Sequence, residues 1–203
     1  MVHQIETRLH ERQGQAVSNF ERTLPAEQSD LAQQLLKDPY TFDFLSLGPA
    51  ARERDLQRGL IEHLRDFLIE LGVGFAFVGS RQHLEVDGQD FYPDLLFYHL
   101  RLRCFVVVEL EVGAFEPEHA GKLGFYLSAV DDRLRHPEDR ATIGILLCKT
   151  KSRVIAGYAL RYVHKPMGIA TWQAEEALPL EWRESLPSIR DLEAELDRRS
   201  FGR

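Results

Sequence analysis

The chain has 203 residues, 44% hydrophobic and 28% charged, which excludes a disordered chain and leaves room for one full domain and an appendage. A formal net charge of −7 excludes a protein that clamps nucleic acid over its whole surface. No apolar run is long enough to cross a bilayer, and the charged start MVHQIETRLHERQ lacks the apolar stretch of a signal peptide, so a cytoplasmic location is expected.

Residues 1–50 read as helical and polar. Ser29 and Asp30 precede LAQQLLKD, the pattern of a capped short helix that Pro39 ends. The next segment, KDPYTFDFLSLGP, reads as irregular, but Tyr40, Phe42, Phe44 and Leu45 are too many anchors for a free linker, so it is expected to pack on something. Residues 51–71 carry the clearest helical spacing, through Leu56, Leu60, Leu64, Phe67, Leu68 and Leu71, and Gly72 is a C-cap signal.

Four strands are then expected: GFAFVG (74–79), RQHLEVD (81–87), DFYPDLLFYH (90–99) and RCFVVVELEV (103–112). Asp87-Gly88 is a hairpin signal, the connection at 100–102 is equally short, and both imply antiparallel neighbours. Pro93 inside the third strand suggests an edge position or a bulge. A helix over 116–130 follows, then a strand at 141–148 apolar enough to be buried on both faces, a helix at 152–162 and a short strand at 168–172. A connector and a charged helix at 189–199 end the chain. The whole predicts an α/β fold, a mixed sheet flanked by helices. Cys104 and Cys148 sit in strand-like apolar runs and are expected to be buried free thiols.

The chemistry concentrates in VVVELEVG, residues 106–113. Alternation along a strand sends Glu109 and Glu111 to one face, about 7 Å apart. Burying two neighbouring carboxylates is costly unless a cation compensates. Asp94, on the preceding strand, is a cross-strand neighbour at about 5 Å. Three such carboxylates suit magnesium or manganese. A solvated strand face is the competing reading of the same spacing. The histidines His83, His99 and His119 form no fixed-spacing set, and His99 reads as structural. The stretch 140–165 carries Arg140, Lys149, Lys151, Arg153, Arg161 and Lys165 without one acid, so it either tracks phosphates or is ordinary solvated surface.

The run FAFVGSRQHLEVDGQDFYPDLLFYHLRLRCFVVVELEVGAFEPEHAGKLGFYLSAVDDRLRHP, with IGILLC after it, resembles the nuclease domain of the bacterial YhcG-type family of the PD-(D/E)XK superfamily. The upstream NFERTLPAEQSDLAQQLLKDPYTFDFLSLGP and the tail LPSIRDLEAEL belong to the same resemblance, which covers roughly residues 18–197. It implies a restriction-endonuclease-like core of αβββαβ type over 51–175, preceded by a linker remnant at 1–50 and followed by a connector and helix at 176–203. It also implies a metal-dependent DNA endonuclease in which Asp94 and Glu109 hold Mg2+ or Mn2+. Glu62 is the matching helix acid at the metal. Arg81 and Gln82 are polar cleft residues on the nucleic-acid side, joined by Lys149, Lys151 and Arg153 of the basic stretch.

Two departures follow from the resemblance. Glu111 stands where the family pattern has Lys, so Glu111 becomes a ligand or general base, and Lys122 is the candidate to return the lost ammonium from the next helix. The alternative is a weakened fold kept as a nucleic-acid-binding or assembly module. The second departure is that family members carry a helical N-terminal domain that this chain starts beyond, which implies that the domain is missing or supplied by a separate partner. A homodimer would suit a nuclease that cuts both strands.

Overall fold

The computed structural model describes residues 9–48 and 50–176. The connector and the helix expected at 189–199 lie outside the described residues. The elements, in order, are α1 (Leu9–Arg12), β1 (Val17–Ser18), α2 (Phe20–Thr23), α3 (Ala26–Leu35), β2 (Tyr40–Leu47), α4 (Glu53–Glu62), α5 (Leu64–Leu71) and β3 (Phe75–Ser80). There follow β4 (Leu84–Val86), β5 (Gln89–Phe91), β6 (Leu95–His99), β7 (Cys104–Leu110), α6 (Pro117–Arg133), β8 (Ile143–Cys148), α7 (Arg153–Leu160) and β9 (Met167–Glu176).

Seven strands form one mixed sheet in the order β1-β9-β8-β7-β6-β3, with β2 added alongside β9. The three central strands β7, β8 and β9 are parallel, as crossovers through α6 and α7 require. Strands β6 and β3 continue the sheet antiparallel. Alternation along β7 and β8 sorts the core into two layers. Val106, Val108, Leu110, Ile143, Ile145 and Leu147 face the layer that holds Leu56, Leu60 and Phe67 of α4 and α5. Val107, Leu146 and Cys148 face Leu123, Leu127 and Val130 of α6 and Ala156 and Leu160 of α7. Gly144 of β8 lets α6 lie close, since a Cβ there would sit 2.8 Å from Leu123.

The mixed sheet flanked by helices is as expected, and four details differ. The second expected strand leaves the sheet: β4 and β5 form their own two-stranded hairpin. Asp87 and Gly88 turn that hairpin at φ values of 51° and 70°, the pair of positive angles a type I′ turn demands. Pro93 accordingly divides the expected strand 90–99 in two, because it offers no N–H to a ladder. The helix expected over 51–71 breaks at His63, whose ψ of 36° leaves the helical range. The short N-terminal helix starts earlier than expected, at Ala26, with Ser29 and Asp30 inside it.

The fourth difference is β2. The segment read as irregular is a strand that pairs in parallel with the far half of β9, from Tyr40 opposite Trp172 onward. Its aromatics do pack: Phe42 contacts Trp172, Phe67 and Phe44 at ring separations of 6.1, 5.6 and 5.9 Å. Behind it lies a buried ionic knot. Glu70 of α5 accepts from Arg12 at 2.6 Å and from the Thr41 N–H at 2.9 Å, and the Lys37 ammonium is bonded to the Glu70 carbonyl. Both expected free thiols are buried.

Candidate functional site

The β6–β7 register runs Leu95 opposite Val108 and Leu96 opposite Val107. One step further places Asp94 opposite Glu109, at the mouth of the strands, on the face covered by α6. The pair is locked by two reciprocal bonds. The Asp94 N–H donates to Glu109 Oε1 at 2.8 Å, and the Leu110 N–H donates to Asp94 Oδ2 at 3.0 Å. From the other layer Gln57 of α4 donates to the Asp94 carbonyl at 2.8 Å and reaches its Oδ1 at 3.5 Å. The Arg81 N–H donates to the same carbonyl at 2.9 Å.

Helix α6 answers the two glutamates with two residues one turn apart. Lys122 Nζ lies 2.7 Å from Glu109 Oε2. His119 Nε2 lies 3.8 Å from Glu111 Oε2. His119 Nδ1 accepts the Glu116 N–H at 3.2 Å, which leaves its proton on Nε2, facing Glu111. Glu111 is just past β7, yet its N–H still bonds the Leu147 carbonyl at 2.8 Å and its own carbonyl accepts Trp172 Nε1 at 3.0 Å. Glu109 and Glu111 therefore share a face, as alternation predicts.

All three carboxyls of the cluster are held above their ordinary range, chiefly by burial. Burial, then the charge of Asp94, push Glu109 up to about 7 despite Lys122. Asp94 is raised by burial against the pull of the Leu110 N–H, Lys122 and Arg81. Glu111 is also raised, by burial, with His119 and Lys122 opposing. Burial alone would lower Lys122, but attraction to Glu109 prevails and raises it. Among the described residues no group of three or more acids, histidines or cysteines is gathered closely enough to hold an ion unaided. Of the four acids expected at the metal, the structure pairs Asp94 with Glu109, turns Glu111 toward His119 and leaves Glu62 apart. The pair still fits magnesium or manganese, which commonly take one or two carboxylates and fill the remaining positions with water and phosphate oxygens.

Glu62 is not part of the cluster. Its side chain is 64% exposed near Arg58, at 4.0 Å, and it lines a surface cleft with Phe44 and Ser46. The α4 residues that address Asp94 are Gln57 and, through its charge, Glu53. These two are one turn apart, whereas Glu62 is five residues past Gln57 and so about 140° around the helix.

Of the other predicted residues, Arg81 stands over the Tyr92 ring at 5.3 Å and lends its charge to Asp94. Gln82 turns its Oε1 toward Gly79. Lys149 is exposed above Trp172, 4.5 Å from the ring centre, beside the backbone of Glu111. Lys151 is corrected: its side chain is folded inward, 4% exposed, against Asp38, and is not offered to a ligand. Arg153 is exposed at the first position of α7. His99 is structural, fully buried, with its Nδ1 accepting the Leu102 N–H at 3.0 Å.

A family model for the YhcG PDDEXK nuclease domain matches residues 33–187. The chain belongs to this family. It is 39% identical over 160 residues to a protein of Escherichia coli (strain K12) described as "Putative nuclease YhcG". That match takes in 77% of this chain and 43% of the relative, so the chain spans less than half the relative's length. Among solved structures, a repair endonuclease from Pyrococcus abyssi aligns at 14% identity and a TM-score of 0.41, over 64% of this chain and 50% of that one. A complex of EndoMS with double-stranded DNA aligns at 14% identity and a TM-score of 0.44, over 68% and 49%. The family, the mixed sheet and the carboxylate pair at its mouth agree on a PD-(D/E)XK fold of nuclease type. No described helix is long and apolar enough to cross a membrane.

Proposed function

We propose that the domain hydrolyses phosphodiester bonds in DNA with a divalent cation held by Asp94 and Glu109. The observation that carries this reading is their direct cross-strand pairing, in which a buried Glu109 and a half-buried Asp94, both with raised proton affinity, share one mouth of the sheet. A bound Mg2+ or Mn2+ would supply Lewis acidity to the scissile phosphate and to an attacking water. Asp94 and Glu109 fix the position of that chemistry, because each carboxylate is anchored by a backbone N–H of the neighbouring strand. Lys122 contributes the ammonium that the family pattern carries at position 111, now delivered from α6, and offsets charge that builds on the phosphate oxygens. Glu111 receives the proton of the attacking water at Oε2, with the His119 Nε2–H opposite orienting it. Arg81 and Lys149 flank the site as phosphate contacts.

The experiment is a cleavage panel of plasmid, linear, branched and single-stranded DNA with manganese or magnesium, on wild type and Glu111→Lys. Cleavage that needs the metal supports the reading; intact substrates throughout refute it.

A second reading is favoured by one specific observation: Lys122 already neutralises Glu109, and among the described residues no third acid completes the pair. In that reading the fold binds nucleic acid or assembles with a partner without cutting. Gain of cleavage in Glu111→Lys marks such a decayed site; loss of cleavage marks a site that uses Glu111.

A further inference from the structure

Helix α7 separates its two kinds of side chain in an unusual way for a surface helix. It carries no acid, and Val154, Tyr158 and Tyr162 beside it are 67%, 62% and 82% exposed. Along one flank runs a cleft of about 650 Å³, bounded on the far side by β1, α2 and α3. Arg153, Gly157 and Arg161 line it at intervals of four residues, so they lie on one face of the helix. The two guanidiniums start from backbone positions about 12 Å apart along the axis. Between them Gly157 supplies no side chain, and a Cβ built there would meet nothing within 4 Å. The trough is therefore open between two cations.

Arg22 of α2 closes the cleft from the opposite wall, where it donates to the Leu160 carbonyl at 2.7 Å and the Val163 carbonyl at 3.1 Å. Glu21, the one acid lining the cleft among the described residues, is approached by Gln33 Nε2 at 3.4 Å. Arg161 stacks over Tyr158 at 4.4 Å from the ring centre, so cation and aromatic share one ledge. The loop that enters α7 passes close to the carboxylate site. The Lys149 N–H bonds the Gly113 carbonyl at 2.9 Å and the Phe115 N–H bonds the Thr150 carbonyl at 2.8 Å, which ties the loop entering α7 to the backbone just past Glu111.

We propose that this cleft is a second nucleic-acid subsite that takes a single strand leaving the carboxylate site. Its backbone phosphates lie along Arg153 and Arg161 in the trough over Gly157, and its bases stack on Tyr158 and Tyr162. The chemistry is that of single-strand grooves generally, a cationic track with aromatic platforms. The proposal rests on the reading that the domain acts on DNA, but it concerns binding and is tested without hydrolysis.

The test is fluorescence anisotropy of labelled oligothymidylate and of a duplex of equal length, with the 203-residue chain and a chelator present. Arg153→Gln with Arg161→Gln is expected to weaken single-strand binding roughly tenfold at low salt and to flatten the salt dependence by about 1.4 in log–log slope, two phosphates' worth. Gly157→Leu fills the trough without a clash in the fold and is expected to weaken binding by a similar factor. Tyr158→Ala and Tyr162→Ala are each expected to cost roughly fivefold. Affinity within twofold of wild type in the arginine pair and in Gly157→Leu, at unchanged melting temperature, overturns the subsite. Duplex binding tighter than single-strand binding, with both tyrosine variants silent, overturns the single-strand assignment. Failure of the hydrolysis reading appears instead as intact DNA with manganese, whatever these affinities are.

Discussion

Lys122 Nζ sits 2.7 Å from Glu109 Oε2, an ion pair that joins the second turn of helix α6 to the mouth of strand β7. In the proposed reading, the cation that the family pattern carries on the strand arrives from the helix packed over it. The swap leaves position 111 free to hold a carboxylate.

If Lys122 supplies charge to the transition state, Lys122→Met removes it while keeping the aliphatic stem. Turnover is expected to fall by about 10²–10³-fold, with the metal requirement retained. Single-turnover cleavage at saturating manganese measures it. An unchanged rate would remove Lys122 from the mechanism.

Glu109 gives a stability prediction. Its folded pKa is raised from 4.5 to about 7, so the folded state holds the proton more tightly than the unfolded one. The associated stability is present below pH 4.5 and is lost as pH rises through about 7. Glu109→Gln mimics the protonated form at every pH. Its melting temperature in chelator is expected to exceed that of wild type at pH 8, and the gap to narrow as pH falls toward 4.5. A variant less stable than wild type at pH 8 contradicts this.

Much of the site was legible in the sequence, and the reason is local. The short connection at 100–102 forces 90–99 and 103–112 to pair, and period two then brings Asp94 to Glu109 and puts Glu109 and Glu111 on one side. What was not legible depends on partners far along the chain. Lys151 looks like a phosphate contact until Asp38, 113 residues away, takes its ammonium. Tyr40, Phe42 and Phe44 alternate as a strand does, but the partner that makes them one is β9, more than a hundred residues later. Glu62 is the helix acid that the resemblance implies, and only the packing of α4 against the sheet reveals that Glu53 and Gln57 are on the face toward Asp94. His119 carried no spacing signal, because its relation to Glu111 exists only once α6 lies across β7.

That correction is testable in α4. Gln57→Leu removes the donor that holds the Asp94 carbonyl, and cleavage is expected to drop about tenfold, in line with the loss of one positioning hydrogen bond. Glu62→Ala, on the exposed side, is expected to match wild type. The opposite ranking would restore Glu62 to the site.

The knot around Glu70 governs the N-terminal segment. Glu70→Ala removes the carboxylate that Arg12 and Lys37 share in a buried setting. Loss of one partner from such a cluster costs about 3–5 kcal/mol, so urea denaturation is expected to show a midpoint shifted well down. A shift corresponding to less than about 1 kcal/mol would mean that the knot is solvated in solution.

The central claim is that Asp94 and Glu109 hold a catalytic cation, and the most direct measurement is manganese-dependent DNA cleavage by wild type and Asp94→Asn, with melting curves for both. Asparagine keeps an oxygen for the Leu110 N–H and so keeps the fold. The account predicts cleavage by wild type only with the metal, and none by Asp94→Asn at a comparable melting temperature. Undiminished cleavage by the folded Asp94→Asn protein would contradict it.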